Sequence, residues 1–299
     1  MTDSDNFFYI YTFYSCLKID KPLRYTQKVR KKAKSLKIIG TIIFTPEGIN
    51  STIASHNLDN LDNFISFLEK DFNAISIKKS KSLTAPFKRL KIKTRDEIVP
   101  SGTDVRVDVS LNKYIEPENW NEFIDDESVL MIDVRNNYEI GVGTFNKSVS
   151  PNTKNFREFD QYIKSSKNLF AHKKLAIFCT GGIRCEKASA LFHANGIEDV
   201  YQLEGGILNY FEKSSSTDKW TGDCFVFDDR VTVDRNLQTG SHTQCFACRR
   251  PLSSKDLSKS EYIEGVSCHN CKNEKTEEDR VRFAERQKQN LIKKINDSY

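Results

Sequence analysis

The sequence predicts three folded units: an α+β domain with helices on one face of an antiparallel sheet over residues 1–100, an α/β domain on a parallel sheet over residues 113–222, and a small Cys-rich region with a charged helical tail over residues 223–299. Three observations carry this. Strand-like and helix-like apolar patterns alternate twice in the same order between residues 7 and 95, two short and almost wholly apolar runs follow, and four of the eight cysteines fall in two CxxC pairs. At 299 residues the chain exceeds the usual single-domain size of about 100–200, so more than one core is expected. Hydrophobic residues are 38% and charged residues 29%, and no apolar run nears the ~18 residues that cross a bilayer, so no membrane contact is expected.

The first unit reads as strand (Phe8 to Tyr14), helix (Leu23 to Leu36), strand (Ile38 to Phe44), strand near Ser51 to Ala54, helix (Leu58 to Phe72) and strand (Ile75 to Lys79). That βαββαβ order is the ferredoxin-like plan. The loop Thr45-Pro46-Glu47-Gly48-Ile49-Asn50 joins the halves, with Pro and Gly marking a turn. After it, Arg89, Lys91, Lys93 and Arg95 recur at period two and so share one face of an extended strand. Such a row can track phosphates or protect a sheet edge from aggregation. Residues 1–112 hold 19 Lys/Arg against 12 Asp/Glu (+7), residues 113–222 hold 13 against 16 (−3), and residues 223–299 hold 14 against 13 (+1). The excess cations sit where a polyanion would be met, so the row is expected to bind nucleic acid.

Residues 96–116 read as a connector, and Pro117-Glu118-Asn119-Trp120 as a helix start. Val129 to Val134 and Leu175 to Phe178 are apolar enough for buried parallel strands, and the second ends directly at Cys179. A helix with Ala188, Leu191 and Phe192 on one face follows, closed by Asn195-Gly196, and then a strand from Val200 to Leu203. Alternating strands and helices place a ligand site at the carboxyl ends of the strands, where Cys179 stands.

Cys179-Thr180-Gly181-Gly182-Ile183-Arg184-Cys185 puts a cysteine at a strand end, glycines that let the backbone curl, and an arginine before a helix. Successive N–H groups and a helix N-terminus then converge on one sulfur and favour its anion, lowering a thiol from ~8.5 to ~7 or below. Arginine follows the cysteine by five residues, not the six of the C-x5-R phosphatase loop, where this chain has Cys185. The Cys-x-x-Gly-x-Arg spacing resembles the persulfide-carrying loop of rhodanese-like domains. The earlier Asp133-Val134-Arg135 and Glu139 also resemble rhodanese, although Gly143-Thr144-Phe145 stands where Gly-His-Ile is usual. Cys185 can resolve an oxidised Cys179 or simply pack on the first helical turn.

With CTGGIRCEKA from Cys179, TPEGIN, and DVRNNYE from Asp133 in one order, nearly the whole chain resembles the rhodanese-containing tRNA uridine hydroxylases of the TrhO type. That resemblance implies oxygen-dependent conversion of the wobble uridine of tRNA to 5-hydroxyuridine, with O2 as co-substrate and the cysteine at position 179 required. The residues themselves offer five histidines without a two-His-one-carboxylate pattern and no dinucleotide fingerprint, so no nucleotide cofactor is expected. A thiolate could add to C6 of the uracil ring. The alternative is a persulfide sulfurtransferase using the same Cys179; a third, a non-catalytic RNA-binding or zinc-scaffold protein, leaves the intact loop without a purpose.

Cys245-Phe246-Ala247-Cys248 and Cys268-His269-Asn270-Cys271, separated by 19 residues, have the spacing of a zinc ribbon, in which Cys245, Cys248, Cys268 and Cys271 would bind a structural zinc and leave Cys224 outside. Residues 274–294 are strongly charged with a sparse apolar face, as in a solvated helix. The apolar stretch from Phe7 to Leu17 follows Asp3 and Asp5 rather than basic residues and contains Cys16, unlike a secretory signal, so the cytosol is the expected compartment.

Overall fold

The computed structural model describes residues 7–72 and 75–296, with side chains to Ile292; Asp3 and Asp5 lie outside the described residues. β1 (Phe8–Cys16), α1 (Leu23–Ser35), β2 (Ile39–Thr45), β3 (Gly48–Ser55), α2 (Leu58–Leu68) and β4 (Ser76–Ser82) follow the expected βαββαβ order. A fifth strand, β5 (Leu90–Thr94), extends the sheet to the order β4-β1-β3-β2-β5 and runs parallel to β2, where the other neighbours are antiparallel. β5 joins because Leu90 and Ile92 pack on the helix-side core while its lysines stay outside. α2 is shorter than its apolar pattern: it is capped by Asn57, whose side chain accepts from the Asn60 N–H at 3.3 Å, and ends at Leu68, while Phe72 folds back into the core.

Alternation along the strands gives the sheet two different faces. Tyr11, Phe13, Ile42, Phe44, Ile49 and Ile53 pack with Leu61 and Phe64 beneath the helices. On the other face, cross-strand registers align Lys78, Thr12, Thr52, Thr41 and Lys91 in one row across all five strands. A polar row of this kind is unsuited to a hydrophobic core and free to face a ligand.

In the middle unit β6 (Lys113–Ile115), α3 (Pro117–Phe123), β7 (Val129–Asp133), α4 (Asn137–Ile140), β8 (Gly143–Phe145), α5 (Phe159–Ser165), α6 (Lys167–Phe170), β9 (Lys174–Phe178), α7 (Ile183–Ala194), β10 (Val200–Leu203), α8 (Gly206–Lys213) and β11 (Trp220–Gly222) follow in order. The parallel sheet is β6-β10-β9-β7, and β8 pairs with β11. The supposed connector is partly structured. Its last residues form β6, too short for periodicity to reveal, and Ile98 and Val99 are buried in the core with Ile132, Ile177 and Leu191. Ala188, Leu191 and Phe192 of α7 pack in that same core, but the helix is covered on its other sides too: every residue from Arg184 to Phe192 is buried, because the first unit covers the side that a lone α/β domain would leave in water.

The last unit has two small antiparallel pairs, β12 (Cys224–Phe225) with β13 (Thr232–Val233) and β14 (Thr243–Gln244) with β15 (Pro251–Leu252), then α9 (Ser254–Leu257) and α10 (Glu277–Asn296). α10 is largely exposed, as its charge requires, but buries Phe283 and is held by Arg286, which donates to the carbonyls of Phe246 (2.7 Å) and Gly265 (3.1 Å). Among the described residues no helix is long and apolar enough to cross a membrane.

Candidate active site

β9 delivers Cys179 to the carboxyl edge of the parallel sheet, and the chain turns at once into α7. Gly182 makes this turn with φ of 99°, and a Cβ there would lie 2.8 Å from the Tyr14 hydroxyl, so both conformation and space call for glycine. Its N–H donates to Cys179 Sγ at 3.1 Å. Cys179 is 1% exposed, and burial alone would raise its pKa. The Cys185 thiol, the Arg184 guanidinium and the backbone N–H groups of Cys185 and Gly182 outweigh burial and lower Cys179 to about 5. Cys185 is pushed up by burial and by the neighbouring thiolate, so the pair shares one negative charge, carried on Cys179. From behind, α8 donates the N–H groups of Ile207 and Leu208 to the carbonyls of Cys179 and Thr180. At Gly206 a Cβ would come within 2.4 Å of the Cys179 carbonyl, so only glycine allows this approach.

Arg184 is fixed by a two-point ion pair with buried Glu139, at 2.6 and 2.7 Å, and also reaches Thr180 Oγ1 at 3.3 Å. Asp133 and Arg135 stand behind the loop and outside the cavity. Arg135 donates to both Asp133 oxygens at 2.9 and 2.6 Å and to the Gly143 carbonyl at 2.6 Å, and Thr144 Oγ1 donates to Asp133 at 2.7 Å. They brace the Gly143-Thr144-Phe145 segment, a supporting role.

A half-enclosed cavity of about 500 Å³ has Cys179, Thr180, Gly181, Ile183 and Arg184 in its floor. Its opposite wall is the open face of the first sheet, with Thr12, Thr41, Asn50 and Thr52, and a third side comes from Val226, Phe227 and Arg230. Every unit contributes. The docking is held by Glu47 at the β2–β3 turn, whose carboxylate accepts from Lys187 Nζ (2.7 Å) and from the backbone N–H groups of Ile98 (2.8 Å) and Val107 (3.1 Å). Beside it, Glu186 on the first turn of α7 accepts from Tyr14 at 2.8 Å, Tyr114 at 3.1 Å, and Asn112. Burial raises the Glu186 carboxyl and lowers Lys78 to about 8. Arg230 ties the last unit to the first through Ser80 Oγ at 2.9 Å while paired with Asp228 at 2.7 Å. Glu47, Glu186 and Lys187 lie within the TPEGIN and CTGGIRCEKA stretches, but nothing local shows which residues they meet: each acts through partners far along the chain.

The predicted basic row is exposed, on the open face of the sheet, and Lys91 lines the wall of a cavity beside that of Cys179. Cys245, Cys248, Cys268 and Cys271 come together with their sulfurs within 4.8 Å. The separations of 4.0 Å (Cys245 to Cys271), 3.8 Å (Cys248 to Cys268) and 3.7 Å (Cys268 to Cys271) match the ~3.8 Å edge of a tetrahedron with metal–sulfur bonds of ~2.3 Å. The four are free thiols that can bind a metal such as zinc, and Cys224 lies apart in the core with Trp220 and Phe145.

Residues 8–98 match the family described as the UPF0176 acylphosphatase like domain, and residues 116–213 match the rhodanese-like domain. Among solved structures, a rhodanese-related protein from Thermoplasma volcanium is 22% identical over 33% of this chain and 91% of its own, with a TM-score of 0.27. An acylphosphatase from Coxiella burnetii is 18% identical over 32% of this chain and 100% of its own, with a TM-score of 0.24. A UPF0176 N-terminal acylphosphatase-like domain followed by a rhodanese domain is the TrhO/UPF0176 family architecture, and it is the architecture of this chain.

Proposed function

We propose that the protein hydroxylates C5 of the wobble uridine of tRNA, with Cys179 as the nucleophile and O2 as the source of oxygen. The observation that carries this is a thiolate held at about 5 in the floor of a cavity whose facing wall is the polar, unhelixed side of the first sheet. Family architecture supports the same reading. A single-stranded base is accessible to such a cavity, as a base inside an A-form helix is not. The thiolate adds to C6 of uracil, and the C5–C6 π pair moves onto the C4 carbonyl. C5 then attacks oxygen, loses its proton, and expulsion of the thiolate restores the ring. One atom of O2 enters the C5 position and the other leaves as water, so the reaction draws two electrons and two protons from a reductant of the thiol class. Thr12, Asn50 and Thr52 offer hydrogen bonds to the uracil edge, and Arg184 keeps the sulfur anionic until addition. The four-cysteine cluster would hold a structural zinc, with four ligands and no open position. The cytosol, where thiols stay reduced, suits both the reactive Cys179 and the cluster.

The rhodanese match favours a second reading, in which Cys179 carries a persulfide and passes its outer sulfur to a thiol acceptor. Nucleoside mass spectrometry of tRNA separates the two. In cells lacking the protein, 5-hydroxyuridine derivatives should vanish and return with the wild type but not with Cys179→Ser. An unchanged nucleoside profile rejects hydroxylation and leaves sulfur transfer.

A further inference from the structure

Beside the Cys179 cavity lies a second one, also of about 500 Å³, which shares Thr41, Phe87, Phe227 and Asp228 with it. Its other walls come from all three units: Lys91 of β5, Tyr138 and Lys154 of the middle unit, and Arg249 and Arg250 directly after Cys248. At the junction stands Phe227, 62% exposed, its ring edge-to-face on Phe225 at 5.1 Å and 5.5 Å from the Arg184 guanidinium. Arg184 covers one face of the ring, and the remaining exposed surface is open to stacking. The charges around it favour an anion. Lys91, Lys154, Arg249 and Arg250 face Asp228, which is buried against Arg230, and Asp229; Arg250 is paired in turn with Glu274 at 3.0 Å. Arg249 is set by the cysteine knuckle itself, with φ of 69° and its N–H on the Cys245 carbonyl at 2.7 Å.

We propose that this groove carries the single-stranded RNA that flanks the base in the Cys179 cavity, with Phe227 stacking on a base at the junction and Lys91, Lys154 and Arg249 meeting its phosphates. The proposal rests on the reading that an RNA base is the substrate. Aromatic platforms joined to cations are how single strands are held without base-specific contacts. The four-cysteine cluster thereby gains a part in binding, since it holds Arg249 in the groove wall.

The test is fluorescence anisotropy of the full chain with a labelled RNA stem-loop carrying uridine in its loop, measured over a salt series. Phe227→Ala should weaken binding about tenfold or more, with Phe227→Trp near wild type. Lys91→Gln and Arg249→Gln should each lower the slope of log affinity against log salt by about 0.7, whereas Lys31→Gln and Lys34→Gln, exposed cations of α1 across the sheet, should leave it unchanged. Stripping metal with a chelator should weaken binding as Arg249→Gln does, without altering alkylation of Cys179. These readouts need no turnover, so they stand apart from the nucleoside assay: groove variants that lose binding uphold the groove even if 5-hydroxyuridine never forms. Groove variants that bind as wild type does, equal losses from the α1 variants, or wild-type protein that ignores the stem-loop overturn the assignment, the last leaving a protein segment as the occupant.

Discussion

Replacing Cys185 by alanine removes the hydrogen bond that, among the influences opposing burial, does most to hold Cys179 ionised. A hydrogen bond to a charged group contributes ~1.5–3 kcal/mol, and 1.36 kcal/mol corresponds to one pH unit, so the thiolate midpoint should rise by about 1–2 units from its value of about 5. At pH 7 that takes the cysteine from almost wholly ionised to between about a tenth and about a half protonated. Cys185→Ser keeps an O–H donor in the same place and should stay close to wild type. The assay is the rate of iodoacetamide modification of Cys179 across pH, followed on the Cys179 peptide by mass spectrometry so that the other cysteines do not intrude. A midpoint left in place by Cys185→Ala, or shifted as far by serine as by alanine, would remove the Cys185 thiol from the groups that acidify Cys179. A wild-type midpoint near the ordinary ~8.5 would refute the whole account of the loop.

Because folding lowers the Cys179 pKa, its thiolate stabilises the native state fully above ~8.5, and this contribution fades as pH falls through about 5; urea melts of wild type should therefore lose about 2 kcal/mol more than Cys179→Ser between pH 7 and pH 5. Glu47→Ala takes from the buried Lys187 ammonium the nearer of its two carboxylates, leaving Glu97 at 3.4 Å and the Val105 carbonyl, and should cost ~3 kcal/mol of stability by denaturant titration, with Lys187→Met on top restoring part of it; an unchanged midpoint would mean that the docking does not depend on this pair. Elemental analysis should find one zinc per chain, lost in Cys268→Ser together with the ordered knuckles seen by proteolysis, and a metal-free wild type equally resistant to protease would show that the cluster does not depend on metal.

The Cys179 loop was legible because the groups that converge on its sulfur lie within a few residues of it, although Glu139 and the start of α8, which hold the loop in place, are remote. So were the CxxC spacing and the alternation of Arg89, Lys91, Lys93 and Arg95, since ligand geometry and strand period are local. What joins the units was not. Tyr14 meets Glu186 across 172 residues and Glu47 meets Lys187 across 140, and no periodicity records such a partnership. Ala188, Leu191 and Phe192 do share the core-facing side of α7, but the burial of its other sides was not foreseen for the same reason: a helix takes its surroundings from everything packed on it, and the first unit was unknown to the local pattern. Asp133 and Arg135 were legible as a motif, but their work as a brace behind the loop follows from the carbonyl of Gly143 that Arg135 reaches. Phe227 and Arg249 carry no sequence signal beyond residue type.

The three-sided wall of the Cys179 cavity has a consequence for how the protein comes into being. The groups that acidify the sulfur, Gly182, Arg184 and Cys185, all belong to the middle unit and are in place once that unit has folded. Residues 226–230, which close the cavity, emerge from the ribosome later, since domains fold in order of synthesis. Their segment does more than close the cavity: Cys224, Val226 and Val233 belong to the same core as Trp120, Phe145 and Phe178, so the segment that shelters the thiol also completes the packing beneath its loop, and the middle unit is finished only when the last unit has been made.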